Sequence, residues 1–371
     1  MNKKAKIIFH VDLNAFYASV EMILDPNLKN KVFAVGGGMN FSRAGVLTTA
    51  SYNARKYGIH SGMSVYEAYQ KYPNLIVVSN KRREYQKYSE IFIETLKGFT
   101  KHLLQASIDE AYLDVSDVID LKDPLALAKE IQTELLKKQL PASIGIGPTL
   151  FLAKMASDLK KPLGITILRK RDVKTVLYPL EVGEVHGIGT KTEERLNEAG
   201  IYTIKDFMDP KNKESIIKAI GENGYYASRD DLLGNSTDFV DVYKYEIPKS
   251  ISNENTLSFD MDNRDLLKEE LDLLFKKTYQ RLLNEKLLCR SVFVKLRNNK
   301  FETRTKTKSF LKETNDYFTL FETTEDLFDE LFIEESYRLI GVGFSNIIHL
   351  NEIKEDRTIF NYQELDEKSE S

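Results

Sequence analysis

The feature that most constrains the fold is a compact run of β-branched and aromatic residues at positions 7–11, which ends at the carboxylate Asp12. A run of this kind is typical of a strand that is buried in a sheet. Two further carboxylates, Asp109 and Glu110, lie between apolar stretches that the same pattern predicts to be strands. Burying a carboxylate costs free energy unless a cation or a hydrogen-bond donor pairs with it. The sequence therefore predicts positively charged partners at the ends of these strands.

Magnesium ions are natural partners for these carboxylates, because Mg²⁺ takes hard oxygen ligands and keeps coordination sites open for water and phosphate. If Asp12, Asp109 and Glu110 are brought together from two adjacent strands, these three carboxylates can hold two such ions. One ion would lower the pKa of an attacking hydroxyl, and the other would neutralise a leaving pyrophosphate. The alternative is that Asp109 and Glu110 simply cap a solvent-exposed hairpin.

The first 165 or so residues alternate between strand-like and helix-like segments, which is typical of an α/β or α+β sheet domain. Besides the strand at 7–11, strands are predicted at 32–35, 46–49, 75–78, 111–115 and 143–147. Helices are predicted at 15–24, 82–97 and 125–136, where apolar residues recur at helical spacing.

The rest of the chain divides into a helical part, a linker, a small α+β domain and a tail. Short helical pieces separated by Gly, Asn and Pro occupy residues 166–240, and a linker is predicted at 241–250. Within the domain at 251–350, the predicted elements are a helix at 264–288, strands at 290–297 and 303–310, a helix at 325–332 and a strand at 337–342. The polar tail at 351–371 is predicted to be disordered.

Composition excludes several classes of protein. None of the apolar runs approaches the ~20 residues that a membrane-spanning helix needs, and the apolar segment near the N-terminus is too short for a signal peptide. The single cysteine, Cys289, excludes an internal disulfide framework and a cysteine-based zinc site. These features predict a cytoplasmic protein that does not bind a membrane.

Charge is segregated along the C-terminal part of the chain, although the net charge of −3 does not by itself indicate a nucleic-acid-binding protein. Residues 286–312 carry nine Lys and Arg residues and a single carboxylate, Glu302. Residues 313–335 carry nine carboxylates and neither Lys nor Arg. The pattern predicts one basic face and one acidic face in the same domain.

Two sets of basic residues recur at a spacing of two along the predicted strands: Lys295 and Arg297, and then Arg304, Lys306 and Lys308. Because side chains alternate along a strand, each set lies on one face. Val292, Val294 and Leu296 occupy the alternate positions and are predicted to face a core. The interpretation is a sheet whose basic outer surface contacts DNA phosphates. The alternative is a charged face that serves only solubility.

Four longer motifs carry a family resemblance: HVDLNAFYASVE at 10–21, TTASYNARKYGIHSGM at 48–63, SIDEAYLDVS at 107–116 and SIGIGPTLFLAKMASDLKKPLGI at 143–165. In this order and at this spacing they resemble the Y-family DNA polymerases, most closely those of the bacterial DNA polymerase IV type. The HGIG segment at 186–189 and the stretch PKSIS-ENTL near residue 250 extend the resemblance to about residue 345.

The resemblance implies an α+β, multidomain, right-hand polymerase. Its implied parts are a palm at 1–20 and 79–165, small fingers at 21–78, a helical thumb with a helix-hairpin-helix motif at 166–240, the linker at 241–250, an α+β little-finger domain at 251–350 and a flexible tail at 351–371. The implied activity is low-fidelity, template-directed addition of dNTPs to a primer 3′-end, used in translesion synthesis. The implied partners are primer-template DNA, dNTP and two Mg²⁺ ions, and the implied state is a monomer.

The resemblance also implies roles for residues of the active site. Asp12, Asp109 and Glu110 bind the metal ions, with the carbonyl of Leu13 as a backbone ligand. Many members have a second Asp two residues after the first, where this chain has Asn14. That departure leaves open the alternative that the chain is a family member whose activity depends on partner proteins.

Nucleotide contacts are implied for Phe16, Tyr17, Thr49, Tyr52, Arg55 and Lys161. Tyr17 occupies the position of an aromatic steric gate, whose ring excludes a ribose 2′-hydroxyl; the alternative is a core aromatic. Tyr52 and Arg55, three residues apart, share one helix face and hold the triphosphate. Lys161 contacts the outer phosphates. The adjacent Lys160 is the alternative candidate for this contact.

DNA contacts are implied for the turn at Gly187 and Gly189, where glycines let the backbone approach a phosphate, and for the basic strands described above. Residues 356–360 faintly resemble a peptide that binds the sliding clamp. The rival functions are a palm-type nucleotidyl cyclase, a catalytically inactive DNA-binding scaffold and the partner-dependent polymerase. Dependence on a template and on added proteins separates them.

Overall fold

The structure, a computed structural model, describes residues 6–37, 45–118 and 123–352. The chain divides into two compact units, Met1–Tyr245 and Glu246–Ser371. The division falls within the stretch at 241–250 that the sequence predicts to be a linker. Across the described ranges, no helix is long and apolar enough to cross a membrane.

Two sheets form the framework of the first unit. In chain order their strands are β1 (Ile8–Leu13), β2 (Phe33–Gly36), β3 (Leu47–Ala50), β4 (Ile76–Val78), β5 (Leu103–Gln105), β6 (Glu110–Asp114), β7 (Ala142–Gly147) and β8 (Ile165–Ile167). The larger sheet has the order β5-β6-β1-β7-β8, and the smaller has the order β3-β2-β4. Strand β1 is central in the larger sheet and pairs antiparallel with both β6 and β7.

Helices surround these sheets and fill the remainder of the unit. In chain order they are α1 (Phe16–Leu24), α2 (Tyr52–Arg55), α3 (Val65–Lys71), α4 (Arg82–Lys97), α5 (Pro124–Lys137), α6 (Leu150–Asp158), α7 (Val173–Val176), α8 (Thr190–Glu198), α9 (Ile204–Met208), α10 (Lys213–Ile220) and α11 (Glu222–Leu232). The strands and helices predicted for residues 1–165 are all present, with ends displaced by at most two residues. Helices α3 and α6 and the short strand β8 were not predicted.

Both faces of the larger sheet are covered, which explains why all six residues of β1 are buried. Phe9, Val11 and Leu13 belong to one core together with apolar residues of α1, α4 and α5. The alternate residues of β1 face α6, where Ile8 packs with Leu150 and Ala153. Asp12 and His10 point to this second face, so polar groups enter a covered part of the sheet.

Helix α6 lies unusually close to strand β7. A Cβ added at Gly145 would lie 2.0 Å from the carbonyl oxygen of Ala153, and one added at Gly147 would lie 2.7 Å from its amide nitrogen. Side chains at these two positions would therefore push the helix away from the sheet. The Gly-Ile-Gly pattern of β7 lets the α6 backbone approach, and it thereby brings the side chains of α6 close to β1.

The second unit is an antiparallel sheet with two helices on one face. Its strands are β9 (Ser250–Met261), β10 (Leu287–Asn298), β11 (Thr303–Thr314) and β12 (Tyr337–His349), and its helices are α12 (Arg264–Asn284) and α13 (Tyr317–Leu331). The strand order is β11-β10-β12-β9. Val292, Val294 and Leu296 are buried in one core with residues of both helices, as predicted. The helices therefore cover the face to which these three residues point.

Several elements of the second unit differ from the sequence-based predictions. The strands predicted at 290–297, 303–310 and 337–342 are longer in the structure, at Leu287–Asn298, Thr303–Thr314 and Tyr337–His349. Helix α12 ends at Asn284 rather than 288, because Leu287 and Leu288, which continue the apolar pattern, already belong to β10. Helix α13 begins eight residues earlier than predicted, since Asp316 caps it by accepting from the amide of Thr319 at 2.8 Å. Strand β9 was not predicted: it is a sheet edge whose mostly exposed, polar residues give a weak strand pattern.

Candidate active site

Asp12 and Glu110 lie directly opposite each other on the paired strands β1 and β6. Asp109, the residue before β6, lies beside them, and its carbonyl oxygen accepts a hydrogen bond from the amide of Leu13 at 3.0 Å. Asp12 is buried, with 6% of its surface exposed, and the other two residues are half-buried. The structure thus brings together the three carboxylates selected from the sequence.

Two lysines supply positive charge to these carboxylates. The Nζ atom of Lys154, on α6, lies 3.1 Å from Oδ2 of Asp12 and 2.8 Å from Oε1 of Glu110. The Nζ atom of Lys161 lies 2.6 Å from the same Asp12 oxygen. Both ammonium groups also contact Asp158, at 3.2 Å and 2.7 Å respectively. Lys161 was selected from the sequence, whereas Lys154 and Asp158 were missed. Asp158 follows Lys154 by four residues and precedes Lys161 by three. This spacing, which is typical of ion pairs along a helix, was the signal in the sequence that could have identified them.

The carboxyl groups ionise over different ranges of pH. Burial raises the pKa of Asp12 to about 6, although Lys161 and Lys154 act in the opposite direction. Burial also raises the pKa of Asp109. Partial burial also opposes the ionisation of Glu110, but the hydrogen bond and the charge of Lys154 hold the pKa of Glu110 below the ordinary value. Nε2 of His10, at 3.8 Å from Glu110, is too distant to donate a hydrogen bond.

The donor set of the carboxylates suits a divalent cation. Asp12, Asp109 and Glu110 offer oxygen atoms, and two ammonium groups already lie against them, so this place favours positive charge. Among the described residues, no group of three or more His, Cys, Asp or Glu side chains is arranged so that it could hold a metal ion. Oδ1 of Asp109 accepts a hydrogen bond from Oγ of Ser107 at 2.7 Å.

A cavity of about 250 Å³ opens beside the carboxylates. Its walls include every residue selected from the sequence to bind metal or nucleotide: Asp12, Leu13, Phe16, Tyr17, Thr49, Tyr52, Arg55, Asp109, Glu110 and Lys161. Its walls also include Asn14, Ala15, Thr48 and Ser61, which were not assigned a contact. Lys161 rather than Lys160 faces the cavity. The cavity wall therefore carries both basic groups and carboxylates.

Tyr52 and Arg55 lie on the single-turn helix α2. The Arg55 guanidinium lies 5.1 Å from the centre of the Tyr52 ring, and its Nε donates to the carbonyl of Ala50 at 3.1 Å. The hydroxyl of Ser51 caps the helix by accepting from the amide of Ala54. These contacts hold both side chains at the cavity wall.

Tyr17 lies on α1 and is supported from behind by α4. Its ring stacks on the ring of Tyr85, whose hydroxyl donates to Oε1 of Glu21 at 2.7 Å. Glu21 is fully buried, and its second oxygen accepts from Lys81 at 2.5 Å. This support was not predicted, because a Glu on an amphipathic helix normally faces solvent.

Asn14 connects the end of β1 to the turn that carries Lys161. Its Nδ2 donates to Oγ of Ser143 at 2.9 Å, and its Oδ1 accepts from the amide of Leu163 at 2.8 Å. Both ends of this buried amide are therefore engaged within the protein. Many members of the resembled family have Asp at this position. In this chain the Asn14 side chain instead links β1 to the turn that carries Lys161.

Comparison with known proteins identifies the family. Residues 11–158 match the impB/mucB/samB family, residues 248–357 match the C-terminal domain of that family, and residues 170–201 match the HHH motif of the IMS family. A DNA polymerase IV of Bacillus cereus is 39% identical over 364 residues, which cover 98% of this chain and 87% of the relative. The chain belongs to the Y-family of DNA polymerases. It is therefore a DNA-directed DNA polymerase of the low-fidelity, translesion class.

Other relatives agree with this assignment. DNA polymerase IV 1 of Bacillus subtilis (strain 168) is 36% identical over 367 residues, which cover 98% of this chain and 87% of the relative. Among solved structures, a Y-family polymerase chimera of Dbh and Dpo4 superposes with a TM-score of 0.81 at 29% identity, over 92% of this chain and 99% of the chimera. An insertion ternary complex of Dbh DNA polymerase gives 0.65 at 27% identity, with the same coverage. The α+β right-hand polymerase fold predicted from the sequence is confirmed.

The turn at Gly187 has the geometry expected of a backbone that approaches a ligand closely. Gly187 has a φ of +97°, which disfavours any residue with a Cβ, and an added Cβ at Gly189 would meet no atom within 4 Å. Gly189 precedes α8 and accepts from the amide of Glu193 at 3.0 Å. Ile188, between the two glycines, is buried in the helical core of the polymerase. The turn is therefore anchored by one side chain while its glycines present backbone to solvent.

The basic strands of the second unit do not share one surface, which corrects the prediction made from spacing. In the β10–β11 register, Leu296 pairs with Arg304, Val294 with Lys306 and Val292 with Lys308. Paired residues point to the same face, so the three basic residues of β11 lie on the helix-covered face of the sheet. There they form ion pairs with carboxylates near α13: Arg304 with Glu335, Lys306 with Glu330 and Lys308 with Asp326.

Lys295 and Arg297 point to the opposite, open face of the sheet. Their partners across β11 are Thr305 and Thr303, and Arg297 donates to the Thr303 hydroxyl at 2.7 Å. Lys295 pairs with Glu254 of β9 at 2.7 Å. The open face is thus moderately basic and rich in hydroxyl groups. The clamp-binding peptide predicted at 356–360 lies outside the described residues.

Proposed function

We propose that this polymerase transfers a deoxynucleotide from dNTP to a primer 3′-hydroxyl, with divalent metal ions held by Asp12, Asp109 and Glu110. The observation that carries the proposal is the pairing of Asp12 with Glu110 across β1 and β6, at the edge of the cavity lined by Tyr17, Arg55 and other nucleotide-binding candidates. A sheet positions both carboxylates more rigidly than a loop could.

The preferred metal is Mg²⁺, since the carboxylates are hard oxygen donors and the neighbouring cavity has room for phosphate. When bound, two such ions would activate the primer hydroxyl and stabilise the charge that develops on the phosphates. Leu13 also lines the cavity, and we assign its carbonyl as a further ligand.

The triphosphate is assigned to the basic and hydroxyl-bearing residues of the cavity wall. Arg55 presents a planar fork of donors, Tyr52 and Thr49 add hydroxyl groups, and Lys161 adds an ammonium group. Lys161 contacts Asp12 in the structure, so it must exchange this carboxylate for a phosphate when nucleotide binds. Phe16 and Tyr17 form the wall on which the sugar rests. The Tyr17 ring leaves room for a 2′-hydrogen and excludes a 2′-hydroxyl.

We assign the binding of primer-template DNA to two surfaces that contact the DNA backbone. The glycines at 187 and 189 offer amide groups to a phosphate without regard to sequence, which suits a polymerase. The open sheet face with Lys295 and Arg297 is assigned as the second surface. Arg304, Lys306 and Lys308 are left out of this assignment, because they point to the other face and pair with carboxylates there.

The domain names follow from the same proposal. The larger sheet with α4, α5 and α6 forms the palm, and the smaller sheet with α2 and α3 forms the fingers. Helices α7 to α11 form the thumb, and the second unit forms the little finger. We further propose a monomer that works in the cytoplasm. Clamp binding by the tail stays a prediction.

Primer extension on four templates that differ in the first templating base tests the proposed function. With Mg²⁺ and single dNTPs, we expect the complementary nucleotide to be added preferentially on each template, and EDTA to abolish the reaction. Addition that ignores the template would contradict template direction. Binding of primer-template DNA without extension would favour an inactive or partner-dependent member of the family.

A further inference from the structure

Lys154 is a buried cation at the centre of the active site. The residue is 7% exposed, and its ammonium group lies within 3.4 Å of oxygen atoms from Asp12, Glu110 and Asp158. It is not part of the cavity wall, in contrast to Lys161. Lys154 therefore lies behind the carboxylates, on the side away from the nucleotide.

The position of Lys154 is built into the fold. All residues of α6 from Leu150 to Ser157 are buried, and the glycines of β7 let the helix approach the sheet closely. One turn further along α6, Ser157 forms a hydrogen bond with His10 at 2.8 Å, which ties the helix to β1. The ammonium group therefore has little freedom to leave. The Lys161 side chain, 29% exposed and beyond the helix end, can move.

The charge around Lys154 explains why a cation is needed there. Three carboxyl groups contact the Lys154 ammonium, those of Asp12, Glu110 and Asp158, and Asp109 immediately precedes Glu110. Carboxylates placed this close repel one another unless a cation lies between them. When metal is absent, the ammonium groups have to fill this role.

We propose that Lys154 is a resident counter-ion: it holds Asp12 and Glu110 in place before metal binds, and it weakens the affinity of the empty active site for divalent metal. The inference rests on the proposed metal-binding role of these two carboxylates. Lys161 is the exchangeable cation of the pair, because it can move from Asp12 to a phosphate. Lys154 stays in place, so metal binds weakly until the negative charge of a triphosphate arrives. Metal loading is thereby linked to nucleotide binding.

Binding of Mn²⁺ to the full-length protein without DNA or nucleotide tests the inference. Free Mn²⁺ is measured by electron paramagnetic resonance for wild type, Lys154→Met and Lys129→Met, an exposed lysine of α5 that serves as the control. Removing a fixed positive charge from beside the carboxylates should tighten Mn²⁺ binding by roughly tenfold in Lys154→Met, with no change in the control. Lys154→Gln keeps a hydrogen-bond donor and should also tighten Mn²⁺ binding. This second variant keeps the test valid if Lys154→Met misfolds.

Thermal unfolding gives the second readout. In EDTA, Lys154→Met should unfold at a lower temperature than wild type, and saturating Mn²⁺ should close most of this gap. A merely structural role predicts a gap that Mn²⁺ does not close and an unchanged Mn²⁺ affinity, and this result would overturn the inference. If wild type itself bound no Mn²⁺, the proposed metal site would fail before the role of Lys154 came into question.

Discussion

The ring of Tyr17 stacks on the ring of Tyr85, with the centroids 4.3 Å apart and the planes inclined by 25°. Tyr85 is fixed in turn by its hydrogen bond to the buried carboxylate of Glu21. The wall that is proposed to exclude a ribose 2′-hydroxyl is therefore supported by a second aromatic residue from another helix.

Removing either ring should weaken sugar discrimination. Tyr17→Ala should admit ribonucleotides, with a loss of roughly a hundredfold or more in the preference for dNTP over NTP, because the steric block is gone. Tyr85→Leu should cause a smaller loss, since the Tyr17 ring remains but loses its support. Single-nucleotide incorporation of matched dNTP and NTP measures both effects. Tyr66→Leu, which alters an exposed ring on α3, is the control. Equal discrimination in Tyr85→Leu and wild type would contradict the supporting role.

Asn14 should affect nucleotide binding through Lys161. In Asn14→Ala the amide of Leu163 loses its acceptor, and the turn that carries Lys161 loosens. We expect the KM for dNTP to rise several-fold, with a smaller change in kcat. The double variant with Lys161→Ala should show little more than the effect of Lys161→Ala alone, because both changes act on the same contact. Fully additive effects would mean that Asn14 acts by another route.

The two faces of the second unit should differ in DNA binding. Lys295→Ala should weaken binding to primer-template DNA and reduce the slope of log affinity against log salt concentration by about one, as expected for loss of one phosphate contact. Lys306→Ala removes a residue of the same type from the helix-covered face, where it pairs with Glu330, and should leave the slope nearly unchanged. Fluorescence anisotropy over a range of salt concentrations measures both slopes. The reverse order of effects would reinstate the basic residues of β11 as the DNA contacts.

Asp12 should lower the stability of the metal-free protein above neutral pH. Its pKa is raised from 3.8 to about 6 on folding, so the folded state binds the proton more tightly than the unfolded state does. The resulting stabilisation is complete below about pH 4 and is lost as the pH rises through about 6. At about pH 8 without metal, Asp12→Asn should therefore stabilise the protein, by at most roughly 3 kcal/mol, and the gain should vanish toward about pH 4.

Asp158 provides a control of opposite sign for this prediction. Although burial opposes its ionisation, hydrogen bonds and charges from Lys161 and Lys154 lower its pKa. Asp158→Asn should therefore destabilise the protein at about pH 8. Urea unfolding in EDTA at several pH values measures both variants. A loss of stability in Asp12→Asn at about pH 8 would contradict the prediction. It would show that the ion pairs of Asp12 stabilise the folded protein by more than the burial of its charge destabilises it.

The family motifs, rather than local pattern alone, selected the carboxylates and the nucleotide-binding candidates, and the structure places all of them at one cavity. Asp12 lies in the buried strand β1, and Tyr52 and Arg55 share one helical turn. Their convergence follows from the pairing of β1 with β6, and the family motifs gave the order of these segments. Local pattern and tertiary structure agree at these positions.

Other features depend on tertiary structure that no local pattern contains. Spacing of two places Arg304, Lys306 and Lys308 on one face of β11, but the register with β10 decides which face, and a shift of one residue would reverse it. Lys154 looks like a solvated lysine on an amphipathic helix until the close packing of α6 on β7 places it behind Asp12. Glu21 likewise gains its role from Tyr85 and Lys81, which lie about sixty residues away.

The rate of single-nucleotide incorporation in wild type and Asp109→Ala tests the central claim most directly. Primer-template DNA, the complementary dNTP and Mg²⁺ are mixed under single-turnover conditions, with Asp117→Ala, an exposed carboxylate variant, as the control. We predict a loss of roughly a thousandfold or more in Asp109→Ala, with unchanged DNA affinity and a normal rate in the control. Equal rates in wild type and Asp109→Ala would contradict the assignment of these carboxylates as the metal-binding site for DNA synthesis.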